Sequence, residues 1–284
     1  MIISVASGKG GTGKTTISTN LAVSIDRRAK LLDCDVEEPN AQLFIKPEII
    51  ENEIVYTMIP EIDETLCDGC RKCAEICRFN ALTVVGKKVI VFPELCHSCG
   101  GCIVVCPESA VGEGSRELGV IETGTKDKLT FIQGTMRIGE AMSPPLIRKV
   151  RSKIEENDLA IIDAPPGTSC PVITAMKDTD FVLLVTEPTP FGLHDLKLAA
   201  EAVKVLDIPC GIVINRSDIG DRTVQEYAAQ KKIPILLEIP FDRRIAETYS
   251  RGQLLIEDFP TWRHAFEILY RDILEIIESN KVTQ

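Results

Sequence analysis

Residues Gly8-Lys9-Gly10-Gly11-Thr12-Gly13-Lys14-Thr15-Thr16 constrain the fold of this chain more than any other stretch. They lie between the apolar run Ile2 to Val5 and a helical pattern of Ile17, Leu21, Val23 and Ile25, so the local structure is strand, tight loop, helix. Gly8 to Thr15 fits GxxxxGK[ST]. In that pattern glycines let backbone N–H groups converge on phosphate, the lysine (Lys14) neutralises the β and γ charges, and the hydroxyl (Thr15) ligates magnesium. ATP and Mg2+ are the expected ligands, with Gly8 through Thr16 around the phosphates.

Beyond the loop, short apolar runs alternate with helical patterns. Strands are expected over 2 to 6, 29 to 33, 159 to 163, Phe181 to Val185, Gly211 to Ile214 and Ile235 to Leu237. Helices are expected over 14 to 27, 145 to 157, 193 to 206 and 222 to 231, with Leu118 to Thr123 and Leu129 to Gln133 as a hairpin. Strands this apolar are buried on both faces, as in parallel sheets. The fold class is therefore α/β, a doubly wound, mostly parallel sheet with ligand at the carboxyl ends of its strands.

Two cysteine runs interrupt that alternation: Cys67, Cys70, Cys73, Cys77 and Cys96, Cys99, Cys102, Cys106. Each reads CxxCxxCxxxC, a spacing at which three thiolates hold corners of one cubane and the fourth reaches a second cluster. Crossed assignment gives Cys67, Cys70, Cys73 and Cys106 to one 4Fe-4S cluster and Cys96, Cys99, Cys102 and Cys77 to the other. The second run ends in Cys106-Pro107, whereas the first ends in Cys77-Arg78 and lacks the proline. Zinc is the main rival, but zinc sites pair CxxC knuckles across a longer loop and rarely take three cysteines from one short run. The start, Met1-Ile2-Ile3, has no charged leader, and cysteines in a cytosolic chain stay reduced, which argues against disulfides and for a cytoplasmic location. This segment resembles a 2[4Fe-4S] bacterial-type ferredoxin domain. An insert over 61 to 111, small and α+β, is expected to divide an ATPase domain of 1 to 60 and 112 to 284.

The loop carries an additional lysine, Lys9, and so resembles the deviant Walker A of the MinD, Mrp and nitrogenase iron protein group. That resemblance implies that Lys9 crosses a dimer interface to the phosphates held by a facing subunit, alongside Lys14. It also implies a first switch at Asp33 to Asn40, where Asp35 orients the attacking water and Asp33 influences magnesium indirectly. Leu159 to Asp163, followed by Ala164-Pro165-Pro166-Gly167-Thr168, matches Walker B and the second switch. By resemblance Asp163 holds magnesium through water and the Gly167 amide senses the γ-phosphate. Asn215, Pro240 and Asp242 line the adenine by the same analogy, Asp242 being equally suited to cap the following helix. Cys170 lies seven residues after Asp163, as a cluster ligand does in nitrogenase iron protein, but a bridging cluster needs two such cysteines and none lies between Cys106 and Cys170. Cys34 and Cys210 read as small apolar fillers.

With 284 residues, a net charge of -10 and short basic patches interleaved with acids, the chain lacks the electrostatics for phosphate-tracking nucleic-acid binding. The segment Trp262 to Ile277 has helical apolar spacing, but Glu267, Asp272, Glu275 and Glu278 outweigh Arg271, so packing on the sheet is expected rather than stable membrane binding. Three functions fit. One is an ATP-dependent dimer, homomeric or formed with a related ATPase, that couples hydrolysis to iron-sulfur electron transfer with a redox partner. The others are an iron-sulfur carrier or assembly ATPase of the Mrp type, and a MinD-like positioning ATPase with structural or sensory clusters. Retention of a cluster by four cysteines favours the first. Mrp-type carriers usually present a CxxC near the chain end, and no cysteine follows Cys210.

Overall fold

In the computed structural model, which describes residues 1–283, the glycine-rich loop joins β1 (Ile2–Ser7) to α1 (Lys14–Ser24), and β2 (Ala29–Asp33) and α2 (Gln42–Ile45) follow. The chain then runs through β3 (Glu48–Ile62), α3 (Lys72–Ile76), β4 (Leu82–Val85), β5 (Lys88–Val91), α4 (Gly101–Val104), β6 (Val111–Lys126) and β7 (Leu129–Met136). The remainder alternates: α5 (Pro144–Arg151), β8 (Ala160–Pro166), α6 (Cys170–Met176), β9 (Phe181–Thr186), α7 (Pro190–Val205), β10 (Cys210–Asn215), α8 (Thr223–Lys231), β11 (Ile235–Ile239), α9 (Arg243–Ser250), α10 (Leu255–Asp258) and α11 (Pro260–Thr283).

Nine strands form one sheet in the order β11-β10-β9-β1-β8-β2-β7-β6-β3. Every neighbouring pair from β11 to β7 is parallel. The order reverses about β1, which is the doubly wound arrangement expected from the alternating pattern. Along β1, Ile3 and Val5 pack with Ile17 and Leu21 of α1 and with Phe266, Leu269, Ile273 and Ile277 of α11, all buried. The terminal helix thus spends its apolar stripe on the sheet. Each of these side chains contributes about 1.5–3 kcal/mol relative to exposure. Among the described residues no helix is long and apolar enough to cross a membrane.

Two compact units emerge, one comprising Met1–Asn52, Ile121–Thr135 and the chain from Ile147 onward, the other Glu53–Val120 and Met136–Leu146. The expected insert, 61 to 111, lies within the second. There β4 and β5 pair antiparallel, Leu82 opposite Val91, around a turn with Gly86. Its buried core is Cys73, Leu82, Val89, Cys102 and Val111, so two of its five members are cysteines of the two runs. A core this small is marginal without a further crosslink or metal.

Boundaries differ from expectation where local chemistry intervenes. Helix α1 stops at Ser24 because Ile25 is extended, with φ -77 and ψ 116. Helix α7 begins at Pro190, earlier than 193, because Thr189 caps it by accepting the Gly192 N–H at 3.0 Å with proline at the first position. Helix α5 ends at Arg151 rather than 157, and the hairpin strands run longer than expected. Strand β3 is absent from the expected strands: its Ile49, Ile50, Ile54 and Tyr56 are exposed and only Val55 and Pro60 are buried, so its burial pattern is weak.

Candidate functional site

The loop sits at the carboxyl end of β1. Gly13 takes φ +93, and a Cβ there would meet Asn215 Nδ2 at 2.5 Å, so both the backbone and the close approach require glycine. Asn215 ends β10 and donates Nδ2–H to the Thr12 carbonyl at 2.9 Å. It therefore braces the phosphate loop, a role that adds to the base contact inferred from resemblance. Asn215→Ala is expected to weaken ATP binding about tenfold, since one hydrogen bond to the loop and its rigidity are lost together; nucleotide titration checks this.

Lys14 is 7% exposed and carries its ammonium to 3.7 Å from Asp163 Oδ1 and 3.9 Å from Asp35 Oδ2. Parallel pairing sets Asp33 of β2 beside Asp163 of β8. Asp33 accepts the Asp35, Asn40 and Ala41 amides at 3.1, 3.0 and 2.9 Å, so it shapes the loop that presents Asp35. Burial, and then the neighbouring Asp163 carboxylate, push Asp33 well above the usual carboxylate range. Burial raises Asp35 to about 6, Lys14 opposing the shift and Asp163 adding to it. Two carboxylates, Asp35 and Asp163, thus face one ammonium, with Asp33 beside Asp163.

Asp163 is fully buried, and neither of its oxygens has a hydrogen-bond partner. A buried carboxylate that accepts no hydrogen bond is costly even with an ammonium 3.7 Å away, and a divalent cation with its water shell lowers that cost. With the Thr15 hydroxyl also buried at the start of α1, the residues present fit magnesium. Gly167, φ +99, donates its amide to the Ser7 carbonyl at 3.0 Å, a bond that must break before the amide can meet a phosphate.

Beside the loop, a cavity is lined by Gly13, Thr16, Asn215, Pro240, Asp242 and Tyr249 among others. It brings together the three residues expected at the adenine. Asp242 also caps α9 by accepting the Arg244 amide at 2.8 Å, and the Arg244 hydrogen bonds hold its carboxyl below the ordinary range. Arg216 and Glu187 were not singled out from sequence. Arg216 lines the cavity and donates to Glu187 Oε1 at 2.6 Å, while Lys9 Nζ lies 3.7 Å from Glu187 Oε2. Glu187 directly follows β9, and an acid at the carboxyl end of a parallel strand was the signal available.

The cysteine runs repeat each other at a constant offset of 29 residues, Cys67 to Cys96 and Cys77 to Cys106. Backbone geometry repeats with them: left-handed residues occur at Gly69 and Ser98, Arg71 and Gly100, Asn80 and Ser109. Each fourth cysteine accepts an amide four residues on, Ala81 to Cys77 and Ala110 to Cys106, both at 3.3 Å. Cys67, Cys70, Cys73 and Cys106 line one small cavity, which is the crossed set. Cys96 lines a second cavity with Arg116, whose side chain is 9% exposed and whose Nε and Nη1 have no partner, Nη2 being held by Glu140 at 2.7 Å. Among the described residues no three His, Cys, Asp or Glu side chains converge on one point as ligands of a single ion. Four thiols around the first void match the donor set of an iron-sulfur cluster, although Asp68 and Glu108 also line it, whereas the second cavity holds one cysteine beside the orphaned Arg116 donors. Cys34 is fully buried and Cys210 partly, whereas Cys170 is exposed at the first turn of α6.

Comparison with known proteins places this geometry. The model of the CobQ/CobB/MinD/ParA nucleotide binding domain matches residues 3–256. An uncharacterized protein of Methanocaldococcus jannaschii is 34% identical over 90% of this chain and 92% of its own length. A protein of the same organism named iron-sulfur cluster carrier protein is 25% identical over 98% of this chain and 86% of its own. Among solved structures, the septum site-determining protein MinD of Pyrococcus horikoshii, complexed with Mg-ADP, superposes with a TM-score of 0.58 at 20% identity, covering 96% of this chain and 95% of that one. The fold agrees, and the family match spans the loop, Asp35, Asp163 and Asn215: the chain belongs to the CobQ/CobB/MinD/ParA nucleotide-binding family.

Proposed function

We propose that this protein is an Mg-ATPase whose nucleotide-driven dimerisation is coupled to electron transfer through two 4Fe-4S clusters held by its cysteine unit. The observation that carries the reading is the joining, in one chain, of a Gly8–Thr15 phosphate loop with a cavity lined by Cys67, Cys70, Cys73 and Cys106. Lys14 and the loop amides hold the phosphates, Thr15 and Asp163 hold magnesium, and Asp35, fixed by Asp33, orients water for attack. Lys9 completes the phosphate site of a facing subunit, identical or related, so that ATP joins the two. Loss of the γ-phosphate frees Gly167 and loosens the dimer. When bound, the clusters supply one-electron chemistry at low potential for a redox partner.

A second reading is favoured by relatives at about 25% identity, which are named iron-sulfur cluster carrier protein and, in Anopheles gambiae, cytosolic Fe-S cluster assembly factor. In that case ATP turnover would release a cluster to a client. The two readings separate by experiment. Anaerobically purified protein is expected to hold about eight irons in two complete four-cysteine sets. ATP is then expected to shift the reduction potential by about 60 mV, a tenfold change in coupling for one electron, because linkage must be reciprocal. Iron analysis and potentiometry check both points. Stoichiometric zinc would overturn the cluster assignment, and an unchanged potential with cluster loss on hydrolysis would favour the carrier.

A further inference from the structure

Glu187 is a buried acid that the proposed chemistry does not use, and its position next to Lys9 gives it a task. Its side chain is 8% exposed, Arg216 donates to one oxygen at 2.6 Å, and Lys9 Nζ stands 3.7 Å from the other. The backbone that carries it is fixed: the Glu187 main-chain carbonyl accepts the Thr189 amide at 2.8 Å, and a Cβ on Gly192 would lie 2.3 Å from that carbonyl oxygen, so the turn closes only around glycine. Lys9 is anchored through its carbonyl, which accepts Ser7 Oγ–H at 2.7 Å, while its side chain is one-third exposed and free to swing.

We propose that Glu187 is a positioning residue that parks Lys9 inside its own subunit, releasing it to a facing subunit when nucleoside triphosphate draws the ammonium away. This rests on the reading of Lys9 as the residue that completes a partner's phosphate site. Phosphate oxygens offer Lys9 a charge-assisted contact stronger than a 3.7 Å ion pair. Release does not strand a buried charge, because Arg216 stays on Glu187, and an acid that keeps one close cation avoids the penalty of an unpaired ion. Arg216 also lines the cavity beside the loop, so the same carboxylate ties the base side of the site to the lysine.

The test is sedimentation in an Asp35→Ala background, which retains ATP, with Glu187→Gln, Lys9→Ala and the double substitution titrated with ATP, ADP or no nucleotide. Glutamine keeps an oxygen for Arg216 and removes the charge that holds Lys9. Half-association is expected at an ATP concentration about twofold to fivefold lower in Glu187→Gln, the range a part-exposed ion pair supports, with Glu187→Asp restoring the original midpoint. Lys9→Ala is expected to abolish association with or without Glu187→Gln, whereas Glu187→Gln alone associates at the lowered midpoint, so the shift is seen only where Lys9 is present. If Glu187→Gln loses the fold, amine labelling of Lys9 in the Asp35→Ala protein serves instead, and labelling that rises on ATP binding and falls again with dimer formation supports parking. An unchanged midpoint in Glu187→Gln or labelling indifferent to ATP overturns it. Absence of any ATP-driven association overturns the dimer reading together with it, whereas association that requires Lys9 but ignores Glu187 overturns only the parking.

Discussion

Lys14→Ala protein is expected to lose ATP affinity by about 100-fold, roughly 2.8 kcal/mol, when binding is measured by calorimetry. The loss has two sources. The substitution removes the ammonium that meets the β and γ charges, and it leaves Asp35 and the fully buried Asp163 facing each other without the cation that lies 3.9 and 3.7 Å away. Removing one partner of a buried pair costs about 3–5 kcal/mol, so the nucleotide-free variant should also melt earlier, and magnesium should recover part of that loss by taking the place of the ammonium. Asp35→Ala should behave differently. It relieves a crowd of carboxylates, so ATP is retained, while turnover falls by about 100-fold or more because the water loses its orienting base. Hydrolysis by Asp35→Ala at the wild-type rate would sink the assignment of that residue.

The second large effect concerns the crossed cysteine sets. Cys106→Ala is expected to halve the iron, because Cys106 shares a cavity with Cys67, Cys70 and Cys73 although 33 residues or more separate it from them in sequence. The pairing of defects is more telling than either defect alone. Cys67→Ala with Cys106→Ala should lose one cluster, whereas Cys67→Ala with Cys77→Ala should lose both. Iron analysis and electron paramagnetic resonance of the reduced proteins distinguish these outcomes. If the first double variant loses all its iron and the second only half, each run holds its own cluster and the crossing is wrong. Cys73 and Cys102 should additionally destabilise their unit on substitution, since they make up two of the five buried members of its core.

The sequence by itself determined the phosphate loop, the alternating α/β pattern and the ends of strands where carboxylates fall, because each is encoded over a few neighbouring residues. Gly13 needs a left-handed φ whatever packs around it, Lys14 and Thr15 follow it at fixed offsets, and strands such as Phe181–Thr186 are apolar enough to announce burial on both faces. Repeated CxxC spacing likewise names its donors without a structure. The tertiary structure decided what depends on residues distant in sequence. Asn215 reaches back 203 positions to brace Thr12, Glu187 gathers Lys9 and Arg216, and Asp33, expected to influence magnesium indirectly, accepts the amides of Asp35, Asn40 and Ala41. Strand β3 escaped notice for the converse reason: most of its apolar side chains, Ile49, Ile50, Ile54 and Tyr56 among them, stay in solvent and only Val55 and Pro60 are buried, so it is held beside β6 with little burial pattern in its sequence. Hydrophobic periodicity records which faces leave water, whereas hydrogen bonds and ion pairs between far-apart residues depend on chain crossings that no local pattern carries.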